Sequence, residues 1–135
     1  MSVYIDIGKS LPSMDQWLSE AKSDRDADQC GMYLFHNGVV RKTAKAKVRE
    51  NTEVPDVSGM NFSYDDEKVR NAVDKASLMH GIYYIRVWLN EGELNIGDPI
   101  MLVLVGGDIR PNVIDALQEL VGEIKNNCVS ETELH

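Results

Sequence analysis

Between Ile100 and Asn127 the chain passes from an unbroken apolar run into a helical rhythm. Ile100 to Val105 has no polar position, the pattern of a strand buried on both faces, and Gly106-Gly107-Asp108 then supplies residues that tolerate a turn. Pro111 suits a first helical turn, where a missing N–H costs little. Val113, Ile114, Leu117, Leu120, Val121 and Ile124 follow at helical spacing and form one apolar stripe.

The same reading extends upstream. Val3 to Ile7 alternates briefly as a short strand ended by Gly8, and Ser13 is an N-cap for a helix carrying Met14, Trp17, Leu18 and Ala21. Gly31 to Arg41 is rich in aromatic and β-branched residues and predicts a strand, with a bulge or turn near Asn37-Gly38. Residues 50–58 hold Pro55 and several polar positions and predict a loop. Met60, Phe62 and Tyr64 alternate as a strand. Asp65 or Asp66 then caps a helix bearing Val69, Ala72, Val73, Ala76 and Met79, which Gly81 ends. Ile82 to Leu89 is a further strand, and the glycine-bearing turn residues 91–98 make it an antiparallel neighbour of the Ile100 strand. These elements predict one α+β domain over residues 1–135, a mainly antiparallel sheet with helices packed on one face.

Composition narrows the partners. A net charge of −8 argues against nucleic acid or an anionic membrane as the main partner. The N-terminus lacks the apolar core of a signal peptide and no stretch approaches a membrane span, so a cytoplasmic protein is expected. Cys30 and Cys128 form no Cys-x-x-Cys pair, and His36, His80 and His135 are not at ligand spacing. Neither a metal nor a cofactor is expected.

Cations stand out against this acidic background. Arg41, Lys42, Lys45, Lys47 and Arg49 place five of the fourteen Lys and Arg within nine positions. As a strand, Lys45, Lys47 and Arg49 would share one face, either as edge protection or as an anion-binding wall. Arg110 and Lys125 bracket the last helix, roughly 22 Å apart at about 1.5 Å per residue. They therefore belong to different sites, unless a two-fold homodimer brings Arg110 of one subunit to Lys125 of the other.

In their order and spacing, Gly31 through Gly38-Val39-Val40-Arg41, Tyr64 ahead of a helix, Gly92-Glu93-Leu94-x-x-Gly97-Asp98, Arg110 and Lys125 resemble the large, catalytic subunit of molybdopterin synthase. The resemblance implies an α/β hammerhead-like fold. It also implies a homodimer and a small ubiquitin-like sulfur-carrier partner whose C-terminal Gly-Gly thiocarboxylate enters the pocket. The implied reaction is transfer of sulfur to a cyclic pyranopterin phosphate, which forms molybdopterin. By resemblance Lys125 is the catalytic lysine, and Arg41 with the partner subunit's Arg110 holds the anionic substrate. These roles suit the side chains, since arginine's planar fork matches phosphate and a lysine among apolar groups can exchange protons.

The chain also departs from the family pattern. His36 stands where the family has Phe, Ile109-Arg110 replaces a His-Arg pair, and Leu89-Asn90 replaces a basic pair. Beyond Lys125 the family's aromatic segment with a second lysine is missing, and residues 126–135 are polar and acidic. That tail is expected to be poorly ordered in the isolated protein. Lys45 or Lys47 is a candidate to replace the missing lysine. The alternative function is a non-catalytic relative, a dimeric module that binds an anion or a partner.

Overall fold

The computed structural model describes residues 1–51 and 53–135, Ala46 by its backbone; Thr52, within the loop expected at 50–58, lies outside the described residues. Among the described residues, seven strands and four α-helices follow in the order β1 (Ser2–Ile5), α1 (Met14–Lys22), β2 (Met32–Val39), α2 (Lys45–Glu50), β3 (Gly59–Tyr64), α3 (Asp66–Ser77), β4 (Ile82–Leu89), β5 (Gly92–Asn95), β6 (Pro99–Gly107), α4 (Arg110–Glu123) and β7 (Val129–Leu134).

The apolar run forms β6, which pairs antiparallel with β2 on one edge and with β4 on the other. β1 adds a parallel pairing to β4, so the four-stranded sheet has the order β1-β4-β6-β2. Both faces of β6 are buried, as an unbroken apolar strand requires. Met101, Val103 and Val105, with Ile85 and Val87 of β4, pack against Val69 and Val73 of α3 and Val113 and Leu120 of α4. Leu102 and Leu104, with Tyr84 and Trp88, face the other way, against Trp17 and Ala21 of α1. The α+β class and the antiparallel-dominated pairing agree with expectation. The expectation that the helices pack on one face is corrected: α1 adds a third layer on the face opposite α3 and α4, because Leu102, Leu104, Tyr84 and Trp88 make that face apolar too. A second sheet of order β5-β3-β7 lays Met60, Phe62 and Leu94 onto the larger core cluster.

Local chemistry starts the helices where the sequence indicates. Ser13 Oγ accepts from the Gln16 N–H at 3.2 Å and Asp65 Oδ1 accepts from the Lys68 N–H at 3.1 Å, each satisfying an unpaired donor of a first turn. Pro111 lies in the first turn of α4.

Two further expectations are corrected. Residues 41–49 do not form a strand: Lys45–Glu50 is a short helix. Lysine, arginine and glutamate are good helix formers, and among the described residues no neighbouring strand offers this segment a ladder. The tail is not loose. β7 pairs with β3 in unbroken register from Gly59↔Leu134 to Tyr64↔Val129. The backbone bonds Asp65 N–H to Cys128 C=O at 2.8 Å and Ser58 N–H to Leu134 C=O at 2.6 Å close both ends of that ladder.

A polar cluster ties β1, β4 and α1 together. Arg86 Nε donates to Asp6 Oδ2 at 2.7 Å and Nη1 donates to Glu20, while the guanidinium lies 5.3 Å from the Tyr4 ring centre and 5.0 Å from that of Trp17. The Asp6 side chain is only 10 % exposed. Arg86→Met takes away the closer of the two cations on that carboxylate and leaves it only the exposed Lys9 ammonium, 3.4 Å from Oδ1. The expected cost is about 3–5 kcal/mol in urea unfolding, whereas an effect near zero would make the cluster incidental.

Candidate functional site

Three segments converge on one cavity of about 510 Å³, the first two close in sequence and the third some eighty residues on. The first is the end of β2. Val40 is buried and exchanges backbone bonds with the turn before β6, its N–H to Asp98 C=O at 3.0 Å and its C=O from the Gly97 N–H at 2.8 Å. This anchor sets the chain so that Val39 and Arg41 line the cavity, the Arg41 Nε donating to Thr43 C=O at 2.8 Å. The second segment is α2, whose Lys45, Val48 and Arg49 form another wall.

The third segment is the end of α4. There the helix widens into a π-helical stretch, Ile124–Cys128, a distortion that often marks functional sites. Ile124 and Cys128 are buried, and Lys125 between them is exposed at the cavity. Met60, Val57 and Ile100 supply apolar lining, and β7 closes the site with Glu131, Thr132 and Glu133.

Arg41, Lys45 and Lys125 are thus brought together, and Arg49 joins them. Lys47 and Arg110 are not on the lining. Arg110 stands at the opposite end of α4 from Lys125. Near Arg110 a carboxylate already stands just ahead of the helix. Asp108 Oδ1 accepts from the Asn112 side-chain amide at 2.9 Å and from the Ile109 N–H at 2.6 Å, and these bonds hold its carboxyl below the usual range.

The family model described as "MoaE protein" matches residues 12–127. The chain belongs to the MoaE family. No curated protein matches its sequence. Among solved structures, the molybdopterin biosynthesis MoaE protein from Burkholderia ambifaria MC40-6 superposes with a TM-score of 0.74 at 13% identity, over 98% of this chain and 89% of that one. Molybdopterin synthase from Staphylococcus aureus gives a TM-score of 0.70 at 16% identity, over 98% and 88%. The complex of subunits 1 and 2 of molybdopterin-converting factor from Helicobacter pylori 26695 gives 0.63 at 15% identity, over 97% and 83%. At such identities the likeness is one of fold.

The MoaE match ends at residue 127, so Glu131 and Glu133 lie beyond it. Sequence reasoning missed both as site residues. The signal was the period-two placement of Val129, Glu131 and Glu133, which is a strand pattern with carboxylates on its inner face.

His36 is a further group the sequence recorded only as a departure. It pairs with Val103 and shares that residue's face, and its Nε2 lies 3.2 Å from where a Cβ on Gly38 would stand. Burial lowers its pKa first, and the nearby Lys125 ammonium lowers it further. The folded state therefore resists protonating this ring. Stability is full above the ordinary imidazole value and falls as pH drops through the window down to the lowered one. NMR titration should find His36 below the ordinary imidazole value and raised part of the way back in Lys125→Ala. An unchanged midpoint would separate the two groups.

Proposed function

We propose that this chain is the large subunit of a molybdopterin synthase acting in molybdenum cofactor biosynthesis. In this reading a small ubiquitin-like carrier presents its C-terminal Gly-Gly thiocarboxylate to the cavity, and sulfur passes to a cyclic pyranopterin phosphate. The observation that carries the proposal is that Arg41 and Lys125, far apart in a MoaE-family sequence, line one cavity with Lys45 and Arg49. The subunit complex among the structural neighbours supports the small partner.

The arrangement suits the chemistry. Arg41 and Arg49 offer planar donor forks to phosphate, and neither can lose its charge under working conditions. Lys125 has the reach and donors to stabilise negative charge that develops as the acyl–sulfur bond breaks, or to deliver a proton there. Lys45 stands on the same cavity and takes the place of the lysine that the tail lacks. Arg110 would enter only from a second subunit, across a homodimer. A second reading, a binding module without catalysis, draws on Glu131 and Glu133, which set two carboxylates against four cations. Fewer net positive charges weaken the stabilisation of an anionic intermediate.

Molybdopterin formation with a thiocarboxylated small subunit separates these readings. Lys125→Ala should lose about a hundred- to ten-thousand-fold in rate. Its stability should change by no more than about 1 kcal/mol, as for an exposed lysine near a helix end. A wild type that binds the pyranopterin but forms no product selects the binding module.

Calorimetry with inorganic phosphate should show Arg41→Ala weakened by about tenfold or more, and undiminished affinity would remove Arg41 from the anion site. Light scattering should find a dimer at micromolar concentration. A monomer would exclude the role for Arg110.

A further inference from the structure

The acidic wall of the cavity is as deliberate in its geometry as the basic one. In the antiparallel β3–β7 pair Glu131 stands opposite Phe62 and Glu133 opposite Met60, and residues directly opposite share a face. Phe62 and Met60 belong to the core, so both carboxylates point inward, onto the cavity. Ser130 takes the outer face of the same strand.

The two glutamates differ in what they meet. Glu133 Oε2 accepts from the Lys45 backbone N–H at 2.9 Å, and its carboxylate is thereby used in holding the first turn of α2. Glu131 Oε1 is buried and has no hydrogen-bond partner among the described residues. An acceptor buried without a donor costs roughly 1–3 kcal/mol, and more when it is charged. Because Glu131 lines the cavity, a ligand there can supply the donor.

A ligand for this cavity therefore needs an anionic end for Arg41, Arg49 and Lys125 and a donor-bearing edge for Glu131. We propose that Glu131 is a specificity-determining residue, whose carboxylate accepts paired N–H donors from the 2-amino-4-oxopyrimidine edge of a pterin while its phosphate lies on the basic wall. The inference rests on the reading of the cavity as a phosphopterin site, and deepens it. In a pterin the exocyclic amino group and the adjacent ring N–H lie side by side, the spacing at which a guanidinium engages both oxygens of a carboxylate. A lumazine carries a carbonyl oxygen in place of the amino group, and so sets an acceptor against the carboxylate. At about 510 Å³ the cavity falls in the range of small-molecule sites and can hold both ends of such a ligand.

The test is calorimetry on the full-length chain with three probes: inorganic phosphate, 6-hydroxymethylpterin phosphate and 6-hydroxymethyllumazine phosphate. The wild type should prefer the pterin over the lumazine by about ten- to a hundredfold. Glu131→Gln should lose most of that preference and keep its affinity for phosphate, while Glu133→Gln should keep the preference. Glu131→Asp, which retains charge but shortens the reach, should weaken the pterin alone, and it serves as the second variant if the melting curve shows Glu131→Gln to be unfolded. Phosphate binding with no preference in the wild type overturns the role of Glu131 and leaves the anion site standing. So does a preference that survives in Glu131→Gln. Failure of all three probes to bind the wild type overturns the cavity reading and this inference together.

Discussion

The double pairing of β6 is the constraint on which the rest depends. A strand hydrogen-bonded on both edges and apolar at every position from Ile100 to Val105 has no orientation in which water can be tolerated. It therefore requires cover on both faces, and α3 and α4 on one side with α1 on the other are that cover. The end of β2 and the start of α4 take their positions from this strand, since one is its ladder partner and the other its continuation.

Function is built where regular structure gives out. Arg41 follows the last ladder residue of β2, Lys125 lies in the widened turn that ends α4, and β7 returns along β3 to close the space between them. None of these segments brings more than part of the site. The cations are exposed at the cavity, so their charge is kept in a hydrated setting while the apolar lining of Met60 and Ile100 lowers the dielectric beneath. Such a site can hold an anion firmly without burying unpaired charge in the core.

Much of the fold was legible because periodicity and caps agree. The β6 run, the α4 stripe, and the caps Ser13 and Asp65 all declare themselves locally. Residues 45–50 misled because a cation at every second position fits a strand as well as a six-residue helix, and only the absence of a partner strand decides. The tail misled for a different reason. Polar residues on an inner strand face break the usual apolar-in pattern, and they are tolerated here because that face borders a basic cavity and not a dry core. Within the site, Arg41, Lys45 and Lys125 were named in advance through the family pattern and the basic run. Glu131 and Glu133 were not, since a sequence records order and holds no record of which distant side chain lies across a cavity.

The absence of a side chain at Gly38 has a consequence for descent. The ring of His36 leans along its strand into the space a Cβ would take, with Met101 Cγ 3.6 Å from the same point. Positions 36 and 38 are therefore coupled through space: a bulkier residue at 38 requires the imidazole to give way, and a smaller side chain at 36 frees position 38 to vary. Among relatives that share this acidic tail, the two positions should drift together, as a small mark of common ancestry written in empty space.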